Sequence, residues 1–161
     1  MGESYEETAA AAREVVIPLH ELLELDWDTP DEGSPRAEVR MPVQPNAFGF
    51  TANLHGGAIA TMVDVACAMA AARFSGFDPF KESLVTADMH VRYLGRAKTD
   101  MVVARAEVVR KGRQLIVVEC KVADSDDNLV ATADFSTMIV PLRGPLNPAG
   151  AAPVEHGAPE L

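Results

Sequence analysis

The sequence predicts a single α+β domain in which an antiparallel β-sheet wraps around one long central helix. Residues 56–74 form a proline-free, alanine-rich apolar run, and apolar side chains on nearly every side of a helix indicate that it is covered on most sides. Six shorter runs have strand-like composition, two before this helix and four after it. The links between the strands are too short for parallel crossovers, so the strands should pair antiparallel.

The segments before the central helix are predicted in three parts. Residues 3–16 carry Ala and Glu at helical density, with Ser4 as a plausible N-cap, and Pro18 ends or interrupts that pattern, so residues 1–20 form an N-terminal helical segment. Two strand-like runs, about 22–28 and 35–41, are separated by a Pro/Gly-rich stretch, as in a hairpin with a longer loop. Residues 43–54 form a loop that leads into the helix.

After the helix, four strands are predicted at about 84–94, 101–110, 114–123 and 129–140. Their separators, "GRAKTD", "KGR" and "DSDDN", have the turn chemistry typical of antiparallel neighbours. The main domain therefore spans 21–141. Residues 142–161 belong to a tail rich in Pro, Gly and Ala, which is predicted to be disordered or loosely docked.

Length and charge limit the classes of function. The 161 residues, 48% of them hydrophobic, supply enough apolar material for one core. With 14 Lys/Arg against 24 Asp/Glu, the formal net charge of −10 disfavours binding to nucleic acid. Residues 73–121 reverse this balance with ten basic and six acidic side chains, which is either a local surface for an anionic ligand or a normally solvated set of strand edges.

The two cysteines and the N-terminus predict the compartment. Cys67 and Cys120 are too few for a disulfide scaffold and belong to no metal-ligand cluster, so we expect a reduced cytoplasm and no metal. No apolar run is expected to reach the ~18–20 residues of a membrane span, and the N-terminus is acidic where a secretory signal is basic. We therefore predict a cytoplasmic protein without a membrane segment.

The central helix opens with His55, Gly56 and Gly57. A helix that begins near Gly56 exposes its first backbone N–H groups, and two residues without a Cβ let a ligand atom approach them. Such donors can stabilise negative charge that develops on a carbonyl oxygen. The alternative is that the two glycines only permit a tight turn with close packing.

Asp64 is the one carboxylate within this apolar run. It should carry a desolvation penalty unless it has partners or a function, and it is either a functional group or a satisfied core aspartate. Asp64 lies eight residues after Gly56, about 12 Å along one helix, so the two cannot act on the same carbonyl within one chain. If they serve one reaction, two copies of the helix must lie antiparallel across a two-fold axis, which predicts an obligate homodimer with shared sites.

Three stretches carry a family resemblance: "HGGAIATMVDVA", "LVTADMHVRYLGRAK" and "GRQLIVVECKVADSDDNLVATADFSTMIV". From about Pro45 to Val140 the chain resembles the hotdog-fold acyl-CoA thioesterases of the PaaI-like, phenylacetate-degradation type. The resemblance implies that the HGG segment opens the central helix, that six antiparallel strands wrap it, and that dimers pair into tetramers.

The resemblance also implies catalytic roles. Gly56 would present the N–H that polarises the thioester carbonyl, and His55 would orient the turn or contact the thioester. Asp64 of the facing subunit would act as general base or nucleophile. Thr86 would help to hold the water, although it could simply be a good strand former. The family asparagine is matched by Asn46, the first residue of an "NAFG" pattern that ends at Gly49, with Asn53 as its rival.

Coenzyme A would bring three phosphate groups, and the resemblance places its binding residues near the basic stretch. Four of them belong to the turn before a predicted strand. His90 and Arg92 are expected on the same strand face as Thr86 by the period of two. Gly57 and Asn53 are expected near the thioester. The four turn residues, which are alternatively just solvated, are Arg110, Lys111, Gly112 and Arg113.

The predicted function is hydrolysis of small to medium acyl-CoA, aromatic acyl groups included, to the free acid and CoA. No cofactor is expected, since CoA is part of the substrate. Two alternatives stay open: a hotdog hydratase or dehydratase acting on acyl thioesters, and a non-catalytic acyl-CoA binding protein. Asp64 without a second histidine on its helix favours hydrolysis over the former, and its presence argues mildly against the latter.

Overall fold

The computed structural model describes residues 17–28, 31–78 and 80–142. Six strands form one sheet in the order β1-β2-β4-β5-β6-β3, and every pairing is antiparallel. The predicted N-terminal helix and most of the predicted tail lie outside the described residues. The elements in chain order are α1 (Pro18–Leu22), β1 (Asp26–Trp27), β2 (Arg36–Pro42), a 3-10 turn (Pro45–Ala47), α2 (Gly56–Ser75), β3 (Glu82–Tyr93), β4 (Met101–Lys111), β5 (Leu115–Asp124) and β6 (Leu129–Pro141).

The predicted central helix is α2, and the sheet curls around it. Nine of its twenty residues are buried, and Gly76 ends it in the left-handed conformation, its N–H donating to the carbonyl of Ala72. Contrary to the expectation from the sequence, α2 is long and apolar enough to cross a membrane by length and composition alone. Its burial under the sheet accounts for that composition.

The core lies between α2 and the inner face of the sheet. Inward and outward side chains alternate along the strands, so that Val118, Cys120 and Val122 of β5 are buried while Glu119 and Lys121 are exposed. Cys67 of α2 and Cys120 are both free and buried, and their thiols meet. The hydrogen bond to Cys120, together with burial, raises the pKa of the Cys67 thiol, which keeps it protonated and unreactive.

The sheet order corrects one prediction about the turns. "KGR" and "DSDDN" join the neighbouring pairs β4–β5 and β5–β6, but "GRAKTD" joins β3 to β4, which are not neighbours. β3 pairs with β6 instead, so residues 95–100 cross from one edge of the sheet toward the other end of the strand order. Turn composition alone does not distinguish a hairpin from such a crossing.

The segment before β2 also differs from the prediction. Pro18 begins a helix, α1, because its fixed φ and missing N–H suit the first helical position. The strand predicted over 22–28 is reduced to Asp26–Trp27, which still pairs antiparallel with β2 as expected of the predicted hairpin.

Candidate functional site

The start of α2 is capped by a side chain. His55 is the N-cap residue, and its Nδ1 accepts a hydrogen bond of 2.8 Å from the N–H of Gly57. A Cβ on Gly57 would lie 2.9 Å from that Nδ1, so the missing side chain makes room for the imidazole ring. The N–H of Gly57 is thus occupied by the protein, which corrects the expectation that both glycine donors face a ligand.

The backbone N–H of Gly56 remains available to a ligand, as the sequence predicts. Its N–H has no acceptor among the described residues, whereas the carbonyl of His55 accepts from the N–H of Ile59 at 3.1 Å. An unpaired N–H at the N-terminus of a 20-residue helix attracts negative charge. The arrangement can therefore stabilise an oxyanion at Gly56.

Asp64 lies near the middle of α2 and is half-buried. The hydroxyl of Thr86 on β3 donates to its Oδ1 at 2.9 Å. One carboxylate oxygen therefore has a partner from an edge strand of the sheet, and the carboxylate stays near the surface. Gly56 and Asp64 belong to one continuous helix, about 12 Å apart along its axis, so a single chain does not bring them together.

His20 is a neighbour of Asp64 that the sequence analysis did not single out. It belongs to α1 and packs edge-on against Trp27, with ring centroids 6.2 Å apart. Burial lowers the pKa of the His20 imidazole, and the Asp64 carboxylate acts in the opposite direction. No local pattern could have indicated this electrostatic interaction, because the two residues are 44 positions apart.

His90 and Arg92 do not share a face with Thr86, contrary to the prediction. The β3–β6 register shifts at a bulge between Thr86 and Asp88, and one extra residue reverses the alternation beyond it. Thr86 pairs with the buried Thr137, whereas His90 pairs with the exposed Asp134 on the outer face. Arg92 also points outward, where its guanidinium forms a 2.7 Å ion pair with Asp134.

The basic turn between β4 and β5 lies at the other end of α2. Lys111 Nζ donates to the carbonyl of Ser75, the last residue of the helix, at 3.0 Å. Gly112 closes the turn through its N–H, which donates to Leu115. Since α2 is about 30 Å long, Arg110, Lys111, Gly112 and Arg113 are not brought to Gly56 of the same chain.

The two candidate asparagines differ in their surroundings. Asn46 is exposed in the 3-10 turn, and its side chain makes no hydrogen bond within the described residues. Asn53 is half-buried, and its Nδ2 donates to the carbonyl and the hydroxyl of Thr51 at 2.8 and 3.0 Å. Of the two, only Asn53 lines the pocket that also contains Gly56.

A pocket of about 200 Å³ opens next to Gly56. It contains two polar residues, Tyr93 and Arg96, that the sequence analysis did not select. Arg96 lies in the β3–β4 connection, which local composition had indicated as a simple turn. The lining residues are Asn53, Leu54, Gly56, Ile59, Tyr93, Gly95, Arg96, Ala97 and Val130.

A comparison with protein-family models shows which family this chain belongs to. The thioesterase superfamily model matches residues 51–131, which include the start of α2, Asp64, Thr86 and the pocket. The chain belongs to the thioesterase superfamily. Within the described residues, no group of three or more His, Cys, Asp or Glu side chains could hold a metal ion.

Solved structures agree with the superfamily and its fold. A thioesterase family protein from Silicibacter pomeroyi is 27% identical over 86% of this chain and 99% of that one, with a TM-score of 0.70. The BH2602 protein from Bacillus halodurans, solved with CoA, is 28% identical over 82% of both chains, with a TM-score of 0.67. The hotdog fold predicted from the sequence is confirmed.

A third solved structure has a lower sequence identity to this chain, and its similarity shows the fold alone. The E. coli PaaI protein from the phenylacetic acid degradation operon is 21% identical over 84% of this chain and 92% of that one, with a TM-score of 0.70. No curated protein matches this thioesterase-superfamily chain in sequence.

Proposed function

We propose that this protein is an acyl-CoA thioesterase of the PaaI-like type. It hydrolyses small to medium acyl-CoA, aromatic acyl groups included, to the free acid and CoA. The observation that carries the proposal is the pairing, on one helix, of a free N–H at Gly56 with a surface carboxylate at Asp64. CoA bound to a relative 28% identical in sequence supports this class of substrate.

The two groups supply what thioester hydrolysis needs. The N–H of Gly56 donates to the thioester carbonyl oxygen and stabilises the charge that forms there, an effect of roughly 3 kcal/mol in known oxyanion holes. Asp64 either takes a proton from the attacking water or attacks the carbonyl carbon itself, in which case water later hydrolyses the acyl–Asp64 anhydride to the free acid. The C–S bond then breaks, and CoA leaves as a thiolate that needs little further help.

The proposed active form is a homodimer. Gly56 and Asp64 of one chain are too far apart to act together, so each site takes Gly56 from one chain and Asp64 from the other. β3 supports this arrangement, because it is a 12-residue edge strand on which Val85, Thr86 and Ala87 are exposed beside Asp64. A long uncovered edge favours pairing with a second copy. Two such dimers would form the tetramer.

A dimer with antiparallel α2 helices also gives the basic turn a role. The C-terminal end of one helix, with Lys111, would lie about 16 Å along that helix beyond the Asp64 that faces Gly56 of the other chain. Arg110 and Arg113, which are exposed, would then be placed to bind the CoA phosphates. Arg92 is less suited to this task because Asp134 already pairs with it. The cytoplasmic location stays a prediction.

The first experiment measures release of CoA thiol from a panel of acyl-CoAs, from acetyl to palmitoyl, with phenylacetyl and benzoyl forms. Asp64→Asn keeps the volume and removes the charge, and it should lower kcat at least about a hundredfold, since a positioned base or nucleophile contributes that much. Glu119→Gln, an exposed carboxylate on β5, is the matched control. Full activity in Asp64→Asn would remove this carboxylate from the mechanism.

One observation favours a second candidate, a hydratase or dehydratase. Such relatives use a histidine with a nearby carboxylate, and His20 lies close enough to Asp64 for the two to interact electrostatically. Loss of enoyl-CoA absorbance without thiol release, abolished by His20→Gln, would identify that activity. Binding of acyl-CoA with neither reaction would instead indicate a binding protein.

A further inference from the structure

The peptide unit between Gly56 and Gly57 is held at both of its polar atoms by side chains. Its N–H donates to His55 Nδ1 at 2.8 Å, and its carbonyl oxygen accepts from the Tyr93 hydroxyl at 3.0 Å. Two successive glycines are the most permissive backbone that a chain can have. Both glycines belong to the first turn of α2, and these two side-chain contacts add to the helical hydrogen bonds that hold that turn.

In the preceding peptide unit, between His55 and Gly56, one of the two polar groups makes no hydrogen bond within the described residues. The His55 carbonyl accepts from the N–H of Ile59, whereas the N–H of Gly56 meets no acceptor in the described part of the chain. Of the four polar groups in these two peptide units, three are therefore fixed by the protein. The fourth is the donor that the proposed reaction uses.

Tyr93 reaches this turn from the end of β3. It pairs with the buried Ala131, so its side chain points to the inner face of the sheet. Its ring lies against Gly56: a Cβ there would be 3.3 Å from Cζ and 3.4 Å from the hydroxyl oxygen. The same ring lines the pocket beside Gly56.

The exposure of Tyr93 indicates that its hydrogen bond to the Gly56 carbonyl contributes little to folding stability. Within one chain the residue is 54% exposed, so water could satisfy its hydroxyl there, and folding of the chain does not need the bond to Gly56 to avoid a buried unpaired group. Its contribution to the free energy of unfolding should therefore be small. Its main effect is on the orientation of the turn.

We propose that Tyr93 is a positioning residue that, with His55, clamps the Gly56–Gly57 peptide and so aims the free N–H of Gly56 at the thioester oxygen. The catalytic part of this inference rests on the proposed function. Donors that are already oriented stabilise a developing charge without a cost of reorganisation, and small misplacements reduce that effect steeply.

Tyr93→Phe tests the clamp, because it removes the hydroxyl and keeps the ring. We expect kcat to fall about tenfold while KM stays within about twofold and the thermal midpoint is unchanged, since the free donor is only misdirected. Leu94→Ala is the control: Leu94 is equally exposed at 55% and does not line the pocket. It should leave both kinetic constants unchanged.

Hydrogen exchange gives a second readout that does not depend on activity. In Tyr93→Phe, the amide of Gly57 should exchange several-fold faster by NMR, because its peptide unit has lost one of its two side-chain contacts. The same amide should be unchanged in Leu94→Ala.

The outcomes separate this inference from the proposed function. If the wild-type protein hydrolyses acyl-CoA and Tyr93→Phe retains its kcat, the positioning role is overturned. An increase in KM alone would mean that Tyr93 contacts the ligand, which also overturns it. If no acyl-CoA is hydrolysed, the proposed function fails, and unchanged Gly57 exchange would then overturn the clamp as well.

Discussion

Asp64 combines three properties that suit a catalytic carboxylate. It lies on a rigid helix, it remains partly open to solvent, and the Thr86 hydroxyl holds one of its oxygens. The hydroxyl donor restricts the side-chain rotamer, which leaves the second oxygen for water or substrate. Thr86 is therefore expected to act through Asp64.

The predicted effect of Thr86 is smaller than that of Asp64. Thr86→Val keeps the shape and removes the donor, so kcat should fall about tenfold, while Thr86→Ser should keep most of the activity because it retains the hydroxyl. Steady-state kinetics on the best acyl-CoA checks this. Thr132→Val, on the outer face of β6, is the control. Equal activity in the Val and Ser variants would show that the hydroxyl is not needed.

The β5–β6 hairpin and the β3–β4 connection are joined by one buried carboxylate. Asp124, 1% exposed, accepts hydrogen bonds from the backbone N–H groups of Lys98, Asp126 and Asn128 and from the Asn128 side chain. Burial raises the pKa of Asp124, but these hydrogen bonds outweigh it and lower the pKa to about 2. The carboxylate thus fixes the path by which the chain crosses from β3 to β4.

This pKa predicts how stability depends on pH. The unfolded carboxyl has a pKa of 3.8, so the native state is favoured by the ionised form above that pH and loses this advantage as the pH falls toward about 2. Asp124→Asn should therefore destabilise the protein at neutral pH, with a difference from wild type that shrinks below pH 3.8.

Urea unfolding at several pH values measures that difference. Asp126→Asn, an exposed carboxyl in the same turn, should show little change at any pH. A difference for Asp124→Asn that stays constant down to pH 2 would contradict the assigned role of its charge.

For the whole molecule, the strongest prediction is that neither chain holds a complete site. Gly56→Pro removes the N–H at the first helical position, where proline is tolerated, and His55 already has the extended backbone that precedes a proline. Asp64→Asn and Gly56→Pro should each be inactive alone.

Mixing the two inactive variants tests the shared site. A mixed dimer contains one site with Gly56 from one chain and Asp64 from the other, so random exchange should restore about a quarter of the wild-type activity. Thiol release after subunit exchange, with exchange verified by labelled chains, provides the measurement. Persistent inactivity despite exchange would mean that the two groups do not share a reaction.

The sequence by itself determined the features that depend on local pattern. The apolar run predicts α2, and β-branched runs and turn residues predict β2 to β6. The spacing of Gly56 and Asp64 already means that the two cannot act on the same carbonyl within one chain. Each of these follows from the periodicity or composition of a continuous segment.

Only the tertiary structure decided which distant residues meet. β3 pairs with β6 across the sheet, the bulge at Thr86 turns His90 and Arg92 outward, and Tyr93 reaches the start of α2. The N–H of Gly57 donates to His55 Nδ1, although the sequence predicted that the N–H groups of both glycines would be available to a ligand. These features depend on long-range packing and on one extra residue in a strand, and neither leaves a periodic signal in the sequence.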